Sequence, residues 1–98
     1  MFLVTFSKQA VKDKRLLKSA GLEKKTRILL DILCSDPFGN PPPYEKLIGN
    51  LEGNYSRRIN IKHRLVYSVM ENTDLLTDSN GELFEGIVFV KRMWTHYE

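Results

Sequence analysis

"SRRINIKHRLVY", residues 56–67, is the stretch whose reading decides the fold. Arg57, Arg58, Lys62 and Arg64 place four cationic side chains among apolar residues within twelve positions. From Asn54 the pattern has a period of two. Tyr55, Arg57 and Ile59 alternate with Ser56, Arg58 and Asn60; after a tight turn, Leu65, Tyr67 and Val69 alternate with Arg64, Val66 and Ser68. That is the period of a strand, so the segment reads as a β-hairpin. Cross-strand partners share a face. Placing Tyr55, Ile59, Leu65, Tyr67 and Val69 together on the covered face sets an even register, because a slip of one residue would turn half of them into water. Arg58 and Arg64 then stand close together on the opposite face, with Ser56 and Ser68. Two adjacent guanidiniums repel unless an anion lies between them, and the arginine fork suits phosphate because it bonds two oxygens at once. The alternative is that each arginine pairs with a loop carboxylate.

Upstream of the hairpin, "MFLVTF" reads as a first strand. Ser7 is positioned to cap a basic helix running to Ala20, with Gly21 as its stop. A second helix covers Leu22–Ser35, with Leu22, Leu29, Leu30 and Leu33 at helical spacing, and Asp36-Pro37 ends it. "PFGNPPPYEKLIGNLEG" has no period and reads as an ordered connection, stiffened by three prolines near polyproline II geometry. Downstream, residues 71–86 hold an Asn80-Gly81 turn signal and read as an acidic, hairpin-like excursion. "IVFVKRMW" is a near-continuous apolar strand suited to the middle of a sheet. The order βααβββ implies an α+β domain over residues 1–98, with two N-terminal helices packed on a mainly antiparallel sheet of about four strands.

The net charge of +3 conceals segregation. Residues 1–30 carry eight Lys/Arg against two acids, and residues 57–64 add four positive charges. Residues 71–86 hold five acids and no base. Basic blocks of this size suit an anionic partner, nucleic acid or an acidic protein, although a solvated basic face serves solubility equally well. The single cysteine, Cys34, cannot form an internal disulfide and fits a reducing cytoplasm, where it reads as a small buried hydrophobe. No apolar run reaches the roughly 20 residues of a membrane helix, and "MFLVTFSKQ" lacks the layout of a signal peptide. Two histidines and one cysteine show no metal-ligand spacing, so neither metal nor other cofactor is expected.

His63 reads as a turn or packing residue, and Trp94 and Phe89 as sheet packing. Glu45, after the prolines, and His96, in the closing "HYE", are more telling beside the two same-face arginines. Together they supply a general base, a phosphate clamp and a general acid, the minimum set for cleaving RNA through its own 2′-hydroxyl. Taken alone, His96 could equally be a tail residue.

With "PF", "EKLIGNLEGNYSRRI", "HRLVY" and the closing "HY", the chain resembles the YoeB branch of the RelE toxin superfamily, ribosome-dependent mRNA interferases of bacterial toxin–antitoxin pairs. The resemblance covers most of the chain. It implies Glu45 as general base, Arg64 as the group stabilising the scissile phosphate, Arg58 as a further phosphate contact, His96 as general acid and Tyr97 as a residue shaping the site. It also implies a separately encoded antitoxin, the ribosome and mRNA as partners, and the capacity to dimerise. The family's lysine after the glutamate falls on Ile48, so that contact is either lost or supplied by Lys46 from another angle. Residues 71–86 look inserted where such chains make a much shorter turn. The rival readings are a non-catalytic toxin like the gyrase-poisoning ParE branch, and a plain RNA- or protein-binding module.

Overall fold

In the computed structural model, which describes residues 1–94, the polypeptide runs through β1 (Leu3–Phe6), α1 (Lys8–Ser19), α2 (Glu23–Ser35), β2 (Glu45–Lys46), β3 (Tyr55–Arg58), β4 (Arg64–Met70) and β5 (Ile87–Arg92). The strands form one five-stranded sheet in the order β1-β5-β4-β3-β2. Only β1 against β5 is parallel; the other pairings are antiparallel. The α+β architecture matches the sequence expectation. The strand count is higher by one because Glu45 and Lys46, read as part of the proline-rich connection, pair with Ser56 and Tyr55 at the sheet edge. Two residues are too short for a period to show.

The helix boundaries follow local chemistry. Ser7 Oγ accepts from the Ala10 N–H at 3.0 Å and donates to the Lys91 carbonyl, so one hydroxyl caps α1 and ties it to the strand beside it. Helix α1 ends where Gly21 takes φ +76° and the Leu22 N–H reaches back to the Leu17 carbonyl at 2.8 Å, the six-to-one bond of a Schellman stop. The Thr26 hydroxyl donates to the Leu22 carbonyl, securing the first turn of α2.

The covered face of the sheet carries Leu65 and Tyr67 of β4 and Val88 and Val90 of β5, packed with Ala10, Leu17, Leu29 and Leu33 of the helices. The hairpin adopts the expected register, Tyr55 opposite Tyr67 and Arg58 opposite Arg64. Strand β5 lies between β1 and β4, as its apolar run foretold. One expectation changes. Cys34 is half-buried rather than enclosed, and its carbonyl accepts from the Phe2 N–H. The Asn40–Pro41 and Pro41–Pro42 peptide bonds are cis.

A buried acid, unremarked in the sequence, locks the layers together. Asp13 on α1 accepts from the Met93 N–H and Arg92 Nε at 3.0 Å each through Oδ2, and from Gln9 Nε2 at 3.0 Å through Oδ1. Burial pushes its carboxyl pKa up, but those hydrogen bonds and the Arg92 charge outweigh it, and the net shift is downward. The exit of β5 is thereby bolted to α1.

Candidate active site

The hairpin register puts Arg58 and Arg64 directly across from one another on the face away from the helices. Their fates differ. Arg64 Nη1 lies 3.2 Å from Glu45 Oε2 and 3.2 Å from Ser56 Oγ, and its side chain is 22% exposed. Arg58 is exposed and, among the described residues, has no carboxylate partner. The choice left open by the sequence thus resolves unevenly: one arginine holds a loop carboxylate, and its neighbour keeps its charge available.

Glu45 reaches this cluster because β2 pairs with β3 so that Glu45 stands opposite Ser56. Alternation then turns Lys46 to the other face, opposite Tyr55. Lys46 is therefore not brought to the glutamate and arginines. Ile48, where the resemblance places a lysine, is 85% exposed. Pro42, Pro43, Glu45, Ser56, Arg58 and Arg64 line a small cleft of about 110 Å³. Ser56 forms part of it while fully buried.

His63 closes the turn between β3 and β4: its carbonyl accepts from the Ile59 N–H, and its own N–H donates to Asn60 Oδ1. Its ring stacks on Trp94, with centroids 4.1 Å apart and planes 21° from parallel. That contact makes His63 a packing residue and brings the end of the described chain beside Arg64. His96 and Tyr97 lie outside the described residues.

Arg57, counted in the sequence only among the hairpin's cations, is buried by the fold. The residue is 1% exposed on the covered face, where its guanidinium meets the proline loop. Nη1 donates to the Pro42 carbonyl at 2.7 Å, Nη2 to those of Pro37 and Gly39 at 2.9 and 2.8 Å, and Nε to Tyr67 Oη at 3.2 Å. The Tyr67 hydroxyl donates in turn to the Pro37 carbonyl at 2.7 Å, and burial holds its pKa above the ordinary phenol value. A signal was present. Alternation already placed Arg57 among Tyr55 and Ile59, and a charge on a core face requires acceptors nearby.

The two-layer α+β scaffold is shared with small bacterial toxins. The chain superposes on a YoeB/ParE toxin from Agrobacterium tumefaciens with a TM-score of 0.75, covering 98% of this chain and 100% of that one at 23% identity, a likeness of fold alone. It also superposes on YoeB of Staphylococcus aureus in a YoeB–YefM complex, at 32% identity, TM-score 0.70 and 99% coverage of both chains. A YoeB dimer from the same organism matches at 30% identity and TM-score 0.70, over 98% of each chain. In sequence, 64 residues are 44% identical to toxin YoeB of Synechocystis sp., spanning 65% of this chain and 66% of that relative. Residues 6–87 match the family of YoeB-like toxins of bacterial type II toxin–antitoxin systems, and the chain belongs to that family.

Proposed function

We propose that the chain is a ribosome-dependent endoribonuclease that cuts mRNA in the ribosomal A site. The observation that carries this reading is the Glu45–Arg64 contact at 3.2 Å with Arg58 directly across the register: a base and a phosphate clamp within one hydrogen bond of each other. Glu45 takes the proton of a ribose 2′-hydroxyl, and the resulting oxyanion attacks the adjacent phosphorus. Arg64, released from Glu45 as that carboxylate is protonated, joins Arg58 in holding the charge that builds on the phosphoryl oxygens. His96 protonates the departing 5′-oxygen as the P–O bond breaks, leaving a 2′,3′-cyclic phosphate that water opens to a 3′-phosphate. Tyr97 shapes the site beside it. The Trp94–His63 stack supports this reading, since it holds Trp94, the last described residue, against the turn that leads into Arg64. Lys46, turned to the other face, has no part in the reaction.

Every proton and charge in this scheme is carried by a side chain, so the toxin itself needs no bound metal ion for the step. The basic helices and hairpin dock on ribosomal RNA in the cytoplasm. A separately encoded antitoxin restrains the toxin, and two copies can pair; both follow from kinship with the Staphylococcus aureus protein, solved with YefM and as a dimer.

The test maps message ends in a translating extract. Wild-type protein should produce cuts within A-site codons bearing 2′,3′-cyclic or 3′-phosphate ends, and Glu45→Gln should slow them by about 10²–10⁴-fold. Arrested growth with intact messages and poisoned gyrase would instead establish the ParE-like reading.

A further inference from the structure

We propose that Arg57 is a positioning residue that holds the wall of the cleft and thereby sets where Glu45 stands; this rests on the role given to Glu45 above. Among the described residues Arg57 has no carboxylate partner, yet it is 1% exposed, and an unpaired buried charge is expensive where an apolar side chain of the same volume would not be. The guanidinium must supply something an apolar residue cannot. What it supplies is donors.

The loop it meets contains Pro37, Pro41, Pro42 and Pro43, none with an N–H to offer, so its carbonyls cannot all be satisfied by turns of its own. Three of those carbonyls, on Pro37, Gly39 and Pro42, converge on the guanidinium, and the Tyr44 ring closes over it with its centroid 5.2 Å from Cζ. Charge-assisted bonds are the strong ones, and this fork fastens both ends of the loop. Pro42 is three residues before Glu45 and lines the same cleft. Strand β3 therefore builds the cleft from both faces. Ser56 and Arg58 line it directly, while Arg57 between them holds the proline wall from behind. Loss of that anchor leaves Glu45 paired to β3 by a strand of two residues. Misplacement of a catalytic group by about 1 Å can cost on the order of 10²-fold in rate.

The experiment is a double-mutant cycle on single-turnover cleavage of a message on programmed ribosomes, with folding checked by circular dichroism and a cooperative melt. Arg57→Lys keeps the charge but as a point donor that cannot span three carbonyls. It should lower the maximal rate by about 10- to 100-fold with little change in half-saturating concentration. In a Glu45→Gln background the same substitution should cost less than about threefold, because the glutamate it positions is gone. Equal losses in the two backgrounds, or no loss in the first, would overturn the proposal while leaving Glu45 as base. Wild-type cleavage by Glu45→Gln alone would overturn the base assignment and this proposal together. Should Arg57→Lys fail to fold, Tyr67→Phe removes the hydroxyl that joins Arg57 to Pro37. It should produce a smaller loss that likewise vanishes without Glu45, and an unchanged rate in that folded variant overturns the proposal.

Discussion

The two ends of β4 are built on opposite electrical principles. At the Arg64 end, a proline loop short of donors hangs on the buried Arg57, and the open face presents Arg58 and Arg64. At the Met70 end, residues 71–86 organise themselves with neutral and acidic side chains. Asn72 donates to the Leu76 and Phe84 carbonyls and accepts from the Leu76 N–H, while Asp78 Oδ1 accepts from the N–H groups of Asn80 and Glu82. The Thr77–Leu83 bridge flanks the Asn80-Gly81 turn, where Gly81 takes φ +80°. At Gly86 the chain re-enters the sheet so close to the Met70 carbonyl and the Phe2 ring that a Cβ would lie 2.9 Å from each. One end is held by an internal cation and leaves positive charge outside; the other is held largely by its own side chains, with Glu85 also tied to the Met1 ammonium and carbonyl, and carries five acids without a Lys or Arg. Seven strand residues separate them, about 20 Å, more than two Debye lengths at physiological salt. Each end can therefore meet its own partner with little interference from the other.

The largest test of this division lies at the basic end. His96→Gln, or removal of residues 96–98, should slow message cleavage by about 10²–10⁴-fold while stability hardly changes, since these residues follow the apolar run that ends at Trp94. Wild-type rates in both variants would make His96 a tail residue and require another acid. Arg64→Ala comes next, with a loss of about 10²–10³-fold in the maximal rate and an unchanged fold, because it removes charge from the face away from the helices. Arg64→Lys should recover little of it, as a point charge cannot replace the fork. Near-normal cleavage by the alanine variant would remove the phosphate clamp from the scheme.

A third prediction concerns stability rather than rate. Asp13→Asn should destabilise the fold by about 1–3 kcal/mol by breaking buried hydrogen bonds. The wild-type acid response carries the sign of a depressed carboxyl. The unfolded chain, with its ordinary Asp value of 3.8, takes up a proton before the folded one does. The Asp13 contribution is thus complete above that value and disappears as pH falls toward the lower folded pKa. Thermal melts between pH 5 and 2 should therefore be flatter for Asp13→Asn; parallel curves would contradict it.

The smallest effect is expected at the acidic end. Replacing residues 73–85 with an Asn-Gly turn should leave cleavage within about threefold of wild type, because the excursion starts and ends at the far end of β4 and its carboxylates would repel an RNA backbone. Only assembly, with a second copy or an antitoxin, should change. A folded deletion variant that no longer cuts would show that the two ends are coupled after all.

Much of this was legible in the residues alone. Ser7, Gly21 and Asp36-Pro37 marked the helix ends because capping is decided by neighbours a few positions apart. The pairing of Arg58 with Arg64 followed from a period of two and the need to bury Tyr55, Leu65 and Tyr67 on one side. The likeness in "SRRI" and "HRLVY" pointed to the toxin family before any geometry was known. Tertiary structure decided what depends on partners distant in sequence. It turned Lys46 away from the site because a two-residue strand has a face only once β3 is beside it. It brought Glu45 to Arg64 across nineteen positions, chose one arginine of the pair for that contact, and bolted Asp13 to Met93 across eighty. It also separated Arg57 from Arg58, adjacent residues of the same type, into a buried anchor and an exposed cation. Alternation can assign a side chain to a face, but only the folded loop, with three carbonyls and few donors of its own, makes burying a guanidinium there favourable.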